Sequence, residues 1–202
     1  MSRNEGFRCQ ILSWQAVINL TERLAEIIKK SGYKPDIVIA IGRGGYIPAR
    51  IVCDYLLLKD LTSIKVEHWG IAATETQKAM IKFPLCTDIK DKKILLIDDI
   101  TDTGDTLSVS LQYLEGFQPK EIKTAVVIHK KCSKIMPDYF VKKVIKWRWI
   151  IFPWHLWEDL TGFIKKLKDR GVHKESQIIK NLKRLYNITV NIKTVRAILS
   201  EL

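Results

Sequence analysis

Four acids fall within eight residues in Asp98-Asp99-Ile100-Thr101-Asp102-Thr103-Gly104-Asp105, directly after the apolar run Ile94-Leu95-Leu96-Ile97. Clustered carboxylates repel one another unless something cationic or hydroxylic binds them. A buried strand ending in two adjacent acids delivers them to the edge of the sheet where open α/β folds hold ligands. The Thr/Asp/Gly-rich turn that follows opens a helix, and the first N–H groups of a helix, joined by Thr hydroxyls, make an anion site. One loop therefore offers phosphate donors beside carboxylates suited to sugar hydroxyls or hydrated magnesium. A strand followed by an ordinary N-cap accounts for one or two of these residues, not for four acids.

A second glycine-rich turn, Ile41-Gly42-Arg43-Gly44-Gly45-Tyr46, follows the apolar run at residues 36–41. Glycines let a backbone approach an anion closely, and Arg43 adds a charge-assisted donor. Taken alone, such a turn is common. Two further groups follow later strands. Lys130 and Lys131 stand after the run at 121–128, where two adjacent lysines are ordinarily solvated surface. Trp149-Ile150-Ile151-Phe152-Pro153-Trp154 offers flat aromatic surfaces of the kind on which a base stacks.

The elements that must position these groups alternate. Val17, Leu20, Leu24, Ile27 and Ile28 share one face of a helix over residues 13–31, ended by Ser31-Gly32. Strands are predicted at 36–41, 64–69, 93–97 and 121–128, with short ones at 140–145 and 149–152, and helices at 46–58 and 104–114. Residues 70–88 show weak periodicity and are expected to be a long irregular segment. Strands alternating with helices indicate an α/β fold with a parallel sheet flanked by helices. After Pro153 the pattern becomes helical, over 154–170, 175–185 and 193–199. The expected division is a core over 1–153 and a C-terminal three-helix bundle over 154–202.

Residues 94–107 closely resemble the motif with which type I phosphoribosyltransferases bind 5-phosphoribosyl 1-pyrophosphate (PRPP). The resemblance implies that Asp98 and Asp99 hold the ribose hydroxyls, directly or through Mg²⁺. It implies that Asp102, Thr103, Gly104, Asp105 and Thr106 wrap the 5′-phosphate, with Asp105 at a position that varies in the family. Asp102 would also face the purine N7 as the acid/base group. The glycine-rich turn is similar to the family's pyrophosphate loop, which assigns Arg43 and Gly44 to pyrophosphate. The family's mobile loop would fall at about residues 70–82, with residues 74–78 as its tip. Lys130 and the 149–154 segment resemble the 6-oxopurine branch, in which the lysine contacts the base, Trp149 stacks on it and Ile150 reads its edge through the backbone. Trp154 is assigned to core packing.

By the same resemblance the chain is a purine-salvage enzyme whose reactants are PRPP, a purine base, a nucleoside monophosphate and pyrophosphate, with Mg²⁺ as cofactor, and it forms a homodimer. Members of the 6-oxopurine branch usually stop soon after the Pro-Trp element. The C-terminal helices resemble those of crenarchaeal adenine phosphoribosyltransferases, so adenine, giving AMP, is favoured over guanine, hypoxanthine or xanthine. Lys130 argues for the 6-oxopurines.

Composition fits this reading. The 202 residues, 47% hydrophobic, can bury a sizeable core. No apolar run reaches the roughly 18 residues of a membrane span, and the polar first ten residues do not resemble a secretory signal, so a cytoplasmic protein is expected. Cys9, Cys53, Cys86 and Cys132 lack metal-site spacing and are read as reduced, mostly core residues. The net charge of +12 suits polyanions or phosphorylated small molecules. The basic C-terminal helices raise a rival reading, a PRPP-sensing regulator that binds nucleic acid. Basic helix faces are ordinarily solvated and no recognition helix stands out, so the helices are assigned to a hood or dimer contact and nucleic acid is not expected as a partner.

Overall fold

The computed structural model describes residues 6–68 and 79–202. The chain divides into a larger unit, Ile18–Trp147, and a smaller unit made of Met1–Val17 and Arg148–Leu202. This differs from the expected division after Pro153. The reason is a pairing between distant segments: β1 (Cys9–Ile11), which the sequence reading did not anticipate, lies parallel to β8 (Trp149–Ile151) and draws both ends of the chain into the smaller unit.

The larger unit is built on strands β2 (Ile37–Gly42), β3 (Leu61–His68), β4 (Ala79–Phe83), β5 (Lys93–Thr101), β6 (Glu121–Lys130) and β7 (Tyr139–Val144). They form one sheet in the order β4-β3-β2-β5-β6-β7, with every neighbouring pair parallel except β3 and β4. Every residue of β2 is buried, which is why it reads as an unbroken apolar run rather than an alternating one. Ile37, Ile39 and Ile41 of β2 join Ile94 and Leu96 of β5 and Leu107 and Leu114 of α3 (Asp105–Glu115) in one core cluster. Helices α1 (Trp14–Lys30) and α2 (Tyr46–Leu56) complete the alternation.

Two expectations change. Part of the segment expected to be irregular forms β4, antiparallel to β3, where Glu67 is bridged by Lys65 at 2.6 Å and Lys82 at 2.8 Å. Strand β5 runs on through Asp98 and Asp99 to Thr101 instead of ending at the acids, because the ladder to β6 continues as far as Thr101 and His129. Most of the expected mobile loop, its tip at 74–78 included, lies outside the described residues. Cys9 and Cys53 are buried as expected, but Cys86 and Cys132 are exposed, and all four are free thiols.

A polar latch joins β6 to β7. Asp138 accepts hydrogen bonds from the Thr124 amide (2.8 Å), the Thr124 hydroxyl (2.8 Å) and the Lys123 ammonium (3.0 Å), while its own amide donates to the Thr124 hydroxyl at 2.9 Å. Burial pushes the Asp138 carboxyl up, but these donors outweigh it and hold the group below its ordinary value. A depressed carboxyl contributes stability above its unfolded-state value and loses it as pH falls through the folded one. Asp138→Ala should therefore cost about 1 kcal/mol near pH 7, and the gap to the parent should close below about pH 4. Urea unfolding across that range measures both.

The smaller unit holds β1, β8 and three helices, α4 (Leu156–Lys168), α5 (Glu175–Tyr186) and α6 (Ile192–Leu199). Its core gathers Cys9, Ile151, Leu160, Phe163, Ile164, Leu167, Ile178, Leu182, Tyr186, Ile188, Val195 and Ile198. The Phe163 and Tyr186 rings stack at 4.3 Å. Among the described residues, no helix is long and apolar enough to cross a membrane.

Candidate active site

The two turns singled out by sequence meet at the carboxyl end of the sheet in the larger unit. Asp98 and Asp99 lie near the end of β5, 8% and 5% exposed. The Asp99 amide donates to Asp98 Oδ1 at 2.9 Å. Burial, then the neighbouring Asp99 charge, hold the Asp98 carboxyl well above the usual carboxylate range. A buried acid pair of this kind is relieved by a cation or by hydroxyl donors.

The glycine-rich turn between β2 and α2 approaches this pair closely. A Cβ at Gly44 would stand 2.5 Å from Asp99 Oδ2, and one at Gly45 would stand 2.3 Å from the Ile97 carbonyl and 2.8 Å from that of Ile41. Glycine at both positions is what lets the turn settle against β5. The Gly42–Arg43 peptide is cis, and Arg43 is exposed.

The loop after β5 has the form of an anion cradle. Gly104, the N-cap of α3, has φ +92°, and a Cβ there would stand 2.8 Å from Ser133 Oγ and 3.1 Å from the Ile135 amide. The Lys134 amide donates to the Thr103 carbonyl at 2.9 Å, so residues 133–135 brace the loop from behind. Asp105 accepts from the Thr103 hydroxyl at 2.9 Å and pairs with the Lys134 ammonium at 3.5 Å. Its carboxylate thus shapes the loop. Neither α2 nor α3 receives a side-chain cap from its N-cap glycine; the Tyr46 amide donates to the Arg43 carbonyl at 3.3 Å and the Asp105 amide to the Thr103 hydroxyl at 3.4 Å.

Asp102 is paired with Lys130 through its Oδ2. Lys130 closes β6 at 2% exposure, and its ammonium also lies 4.8 Å from the centroid of the Trp147 ring. Lys131 is exposed. Cys132 Sγ stands 3.5 Å from both Oδ1 and the carbonyl oxygen of Asp102. In the smaller unit, the Trp149 indole donates to Asp159 Oδ1 at 3.1 Å, the residue is 37% exposed, and Ile150 is buried where β8 pairs with β1. Trp154, half-buried, stacks on Phe152 at 4.9 Å.

Among the described residues there is no group of three His, Cys, Asp or Glu able to hold a metal. Asp98 and Asp99 alone fit Mg²⁺, which binds through one or two carboxylates plus substrate oxygens and water.

The phosphoribosyl transferase domain model matches residues 8–159. The chain belongs to the phosphoribosyltransferase family. It is 30% identical to the hypoxanthine-guanine phosphoribosyltransferase of Saccharomyces cerevisiae, over 76% of this chain and 87% of the yeast protein. It is also 30% identical to the xanthine-guanine phosphoribosyltransferase of Idiomarina loihiensis, over 75% of this chain and 92% of the relative. A purine phosphoribosyltransferase from Pyrococcus horikoshii superimposes with a TM-score of 0.64 at 35% identity, covering 72% of this chain and 93% of that one. These relatives place the chain in the purine branch of the family, among pentosyltransferases.

For a phosphoribosyltransferase of this branch the predicted PRPP residues are all in the larger unit: Arg43, Gly44, Asp98, Asp99 and Asp102 to Thr106. The preference for adenine does not find support, since the relatives are named for hypoxanthine, xanthine and guanine. The Lys130–Asp102 pair, the Trp147 face over Lys130 and the approach of Cys132 were missed. The paired groups stand 28 residues apart, and no local pattern joins them. The alternation Trp147-Arg148-Trp149 was the one available hint of a second exposed indole.

Proposed function

We propose that this chain transfers the 5-phosphoribosyl group of PRPP to N9 of a 6-oxopurine (guanine, hypoxanthine or xanthine), forming the nucleoside monophosphate and releasing pyrophosphate. The observation that carries the reading is the contact of the two turns: Gly44 against Asp99, beside the loop at 102–106. It offers donors for both phosphate ends of PRPP on either side of two acids suited to the ribose hydroxyls.

In this reading the bond from the anomeric carbon to the pyrophosphate oxygen breaks as the bond to N9 forms on the opposite face. The amides and hydroxyls of Thr103, Gly104, Asp105 and Thr106 fix the 5′-phosphate. Asp98 and Asp99 hold the ribose, while Arg43 and the Gly44 backbone receive the leaving pyrophosphate. Mg²⁺ bound by PRPP and these acids would neutralise the pyrophosphate charge. Asp102 takes the proton that the base gives up near N7, and Lys130 keeps a cation beside that carboxylate. Positioning two bound reactants supplies much of the acceleration. Trp149 is the proposed stacking residue and the Ile150 backbone the proposed base reader. A homodimer and a cytoplasmic setting belong to the same proposal and rest on the family resemblance.

The 6-oxopurine preference is supported by the named relatives and by Lys130, a donor suited to O6. Adenine is the second reading. It is favoured by the helices beyond residue 159, outside the family match, and by the engagement of Lys130 with Asp102 and Trp147. Nucleotide formation from PRPP and each of four bases separates the two. Guanine, hypoxanthine or xanthine should be turned over well ahead of adenine; turnover with adenine alone would overturn the preference and leave the chemistry intact.

A further inference from the structure

The smaller unit carries features that phosphoribosyl transfer does not use. Residues beyond 159 lie outside the family match, yet α4, α5 and α6 close their own core. Helix α5 ends at Asn187, held in the left-handed conformation (φ 58°, ψ 31°), with the Asn187 amide on the Lys183 carbonyl at 3.1 Å and the Ile188 amide on the Leu182 carbonyl at 3.2 Å. Asparagine is one of the few side chains that tolerates that conformation. The next residue, Ile188, is fully buried and pins the turn to the core. Asn191 then caps α6 by accepting the Thr194 amide at 2.8 Å. A helix, a short left-handed turn and a separately capped second helix are the parts with which helix-turn-helix modules present a helix to a major groove.

The outward face of α6 has the matching chemistry. Val195 and Ile198 point into the core, whereas Ile192, Lys193, Arg196 and Ala197 are exposed. No acid occurs among the eight residues of the helix. Glu175, in the first turn of α5, holds Arg196 Nε at 3.0 and 3.1 Å, so the guanidinium is positioned rather than free to wander. Lys180, Lys183 and Arg184 on α5 are exposed, with Lys183 donating to the Thr189 hydroxyl at 3.2 Å and Arg184 to Asn181 Oδ1 at 2.9 Å. The sequence alone showed a diffuse excess of lysine. The structure shows where the turn falls and which side chains it turns outward.

We propose that the α5–turn–α6 segment binds double-stranded DNA, a second function beside the transfer reaction. A helix about 10–12 Å across fits a major groove about 12 Å wide. Lys193 and Arg196 would donate to base edges or phosphates, Ile192 and Ala197 offer apolar contact to thymine methyls, and the α5 cations meet the backbone.

The test uses the full chain and a fluorescent duplex of about 24 base pairs, with anisotropy followed between about 50 and 200 mM salt. The parent should bind with an affinity that falls as a power of salt. Lys193→Ala with Arg196→Ala should weaken binding at least tenfold and lower the salt slope by about 2. Lys29→Ala with Lys30→Ala, which removes equal charge from the end of α1, should change binding less than about twofold. Both double variants should keep their transfer rate, which separates this proposal from the enzymatic one. Lys193→Glu, at an exposed position, replaces the first pair if losing the Glu175 contact lowers Tm. Three results overturn the proposal: no binding at low salt, equal weakening by both pairs, or tighter binding to duplex RNA, whose deep and narrow major groove does not admit a helix.

Discussion

Asp102→Asn should lower kcat by about 10²–10⁴-fold, the usual worth of a positioned acid/base group, while PRPP affinity changes only a few-fold. The reasoning is local. The Asp102 carboxylate sits at the mouth of the phosphate loop, paired with a lysine that is 2% exposed. Asparagine keeps an oxygen for the Lys130 ammonium but cannot take the base proton. Because the lysine is buried, losing the ion pair should also cost stability, so Tm must accompany the kinetics. A kcat within about threefold of the parent in a folded variant would remove Asp102 from the chemistry. Binding of PRPP measured by calorimetry separates a lost proton acceptor from a lost phosphate loop.

The second large effect should come from a single methyl group. Gly45→Ala places a Cβ against the Ile97 carbonyl, the Ile41 carbonyl and the Ile41 amide, at 2.3, 2.8 and 2.9 Å. All three are backbone atoms of the central strands β2 and β5, and none can swing away. Overpacking of that kind typically costs about 1–3 kcal/mol, here with displacement of the whole turn and loss of activity. Gly44→Ala meets a side chain instead, the Asp99 carboxylate. A side chain yields more readily than backbone, so Gly44→Ala should cost less stability than Gly45→Ala and weaken PRPP binding. Thermal melts and PRPP titration of both variants check the contrast. Equal stability losses would mean that the turn does not seat against the acids as described.

What was legible in the sequence was local. The run from Ile94 to Thr106 announced itself because residue types, order and burial all bear on one short segment. The glycine-rich turn was readable for the same reason once a strand preceded it. The three C-terminal helices were visible from periodicity, within a residue or two of where they lie. What escaped depends on pairing between distant residues. Strand β1 is three residues long and exists because β8 lies beside it. Strand β4 mixes apolar and charged positions on a sheet edge, where alternation is weak. The pairing of Asp102 with Lys130 joins the loop after β5 to the end of β6 across 28 residues. Conversely, the turn at Asn187 was written in the sequence, but asparagine occurs in many contexts, and its left-handed conformation gives it meaning.

The most direct measurement is to incubate the purified chain with PRPP, MgCl₂ and guanine, and to quantify nucleotide and pyrophosphate in the same sample. A phosphoribosyltransferase should yield GMP and pyrophosphate in equal amounts, form neither without the base, and lose both in Asp102→Asn. Binding of PRPP with no pyrophosphate released by any purine, or ribose 5-phosphate appearing without a base, would contradict the function proposed for this site.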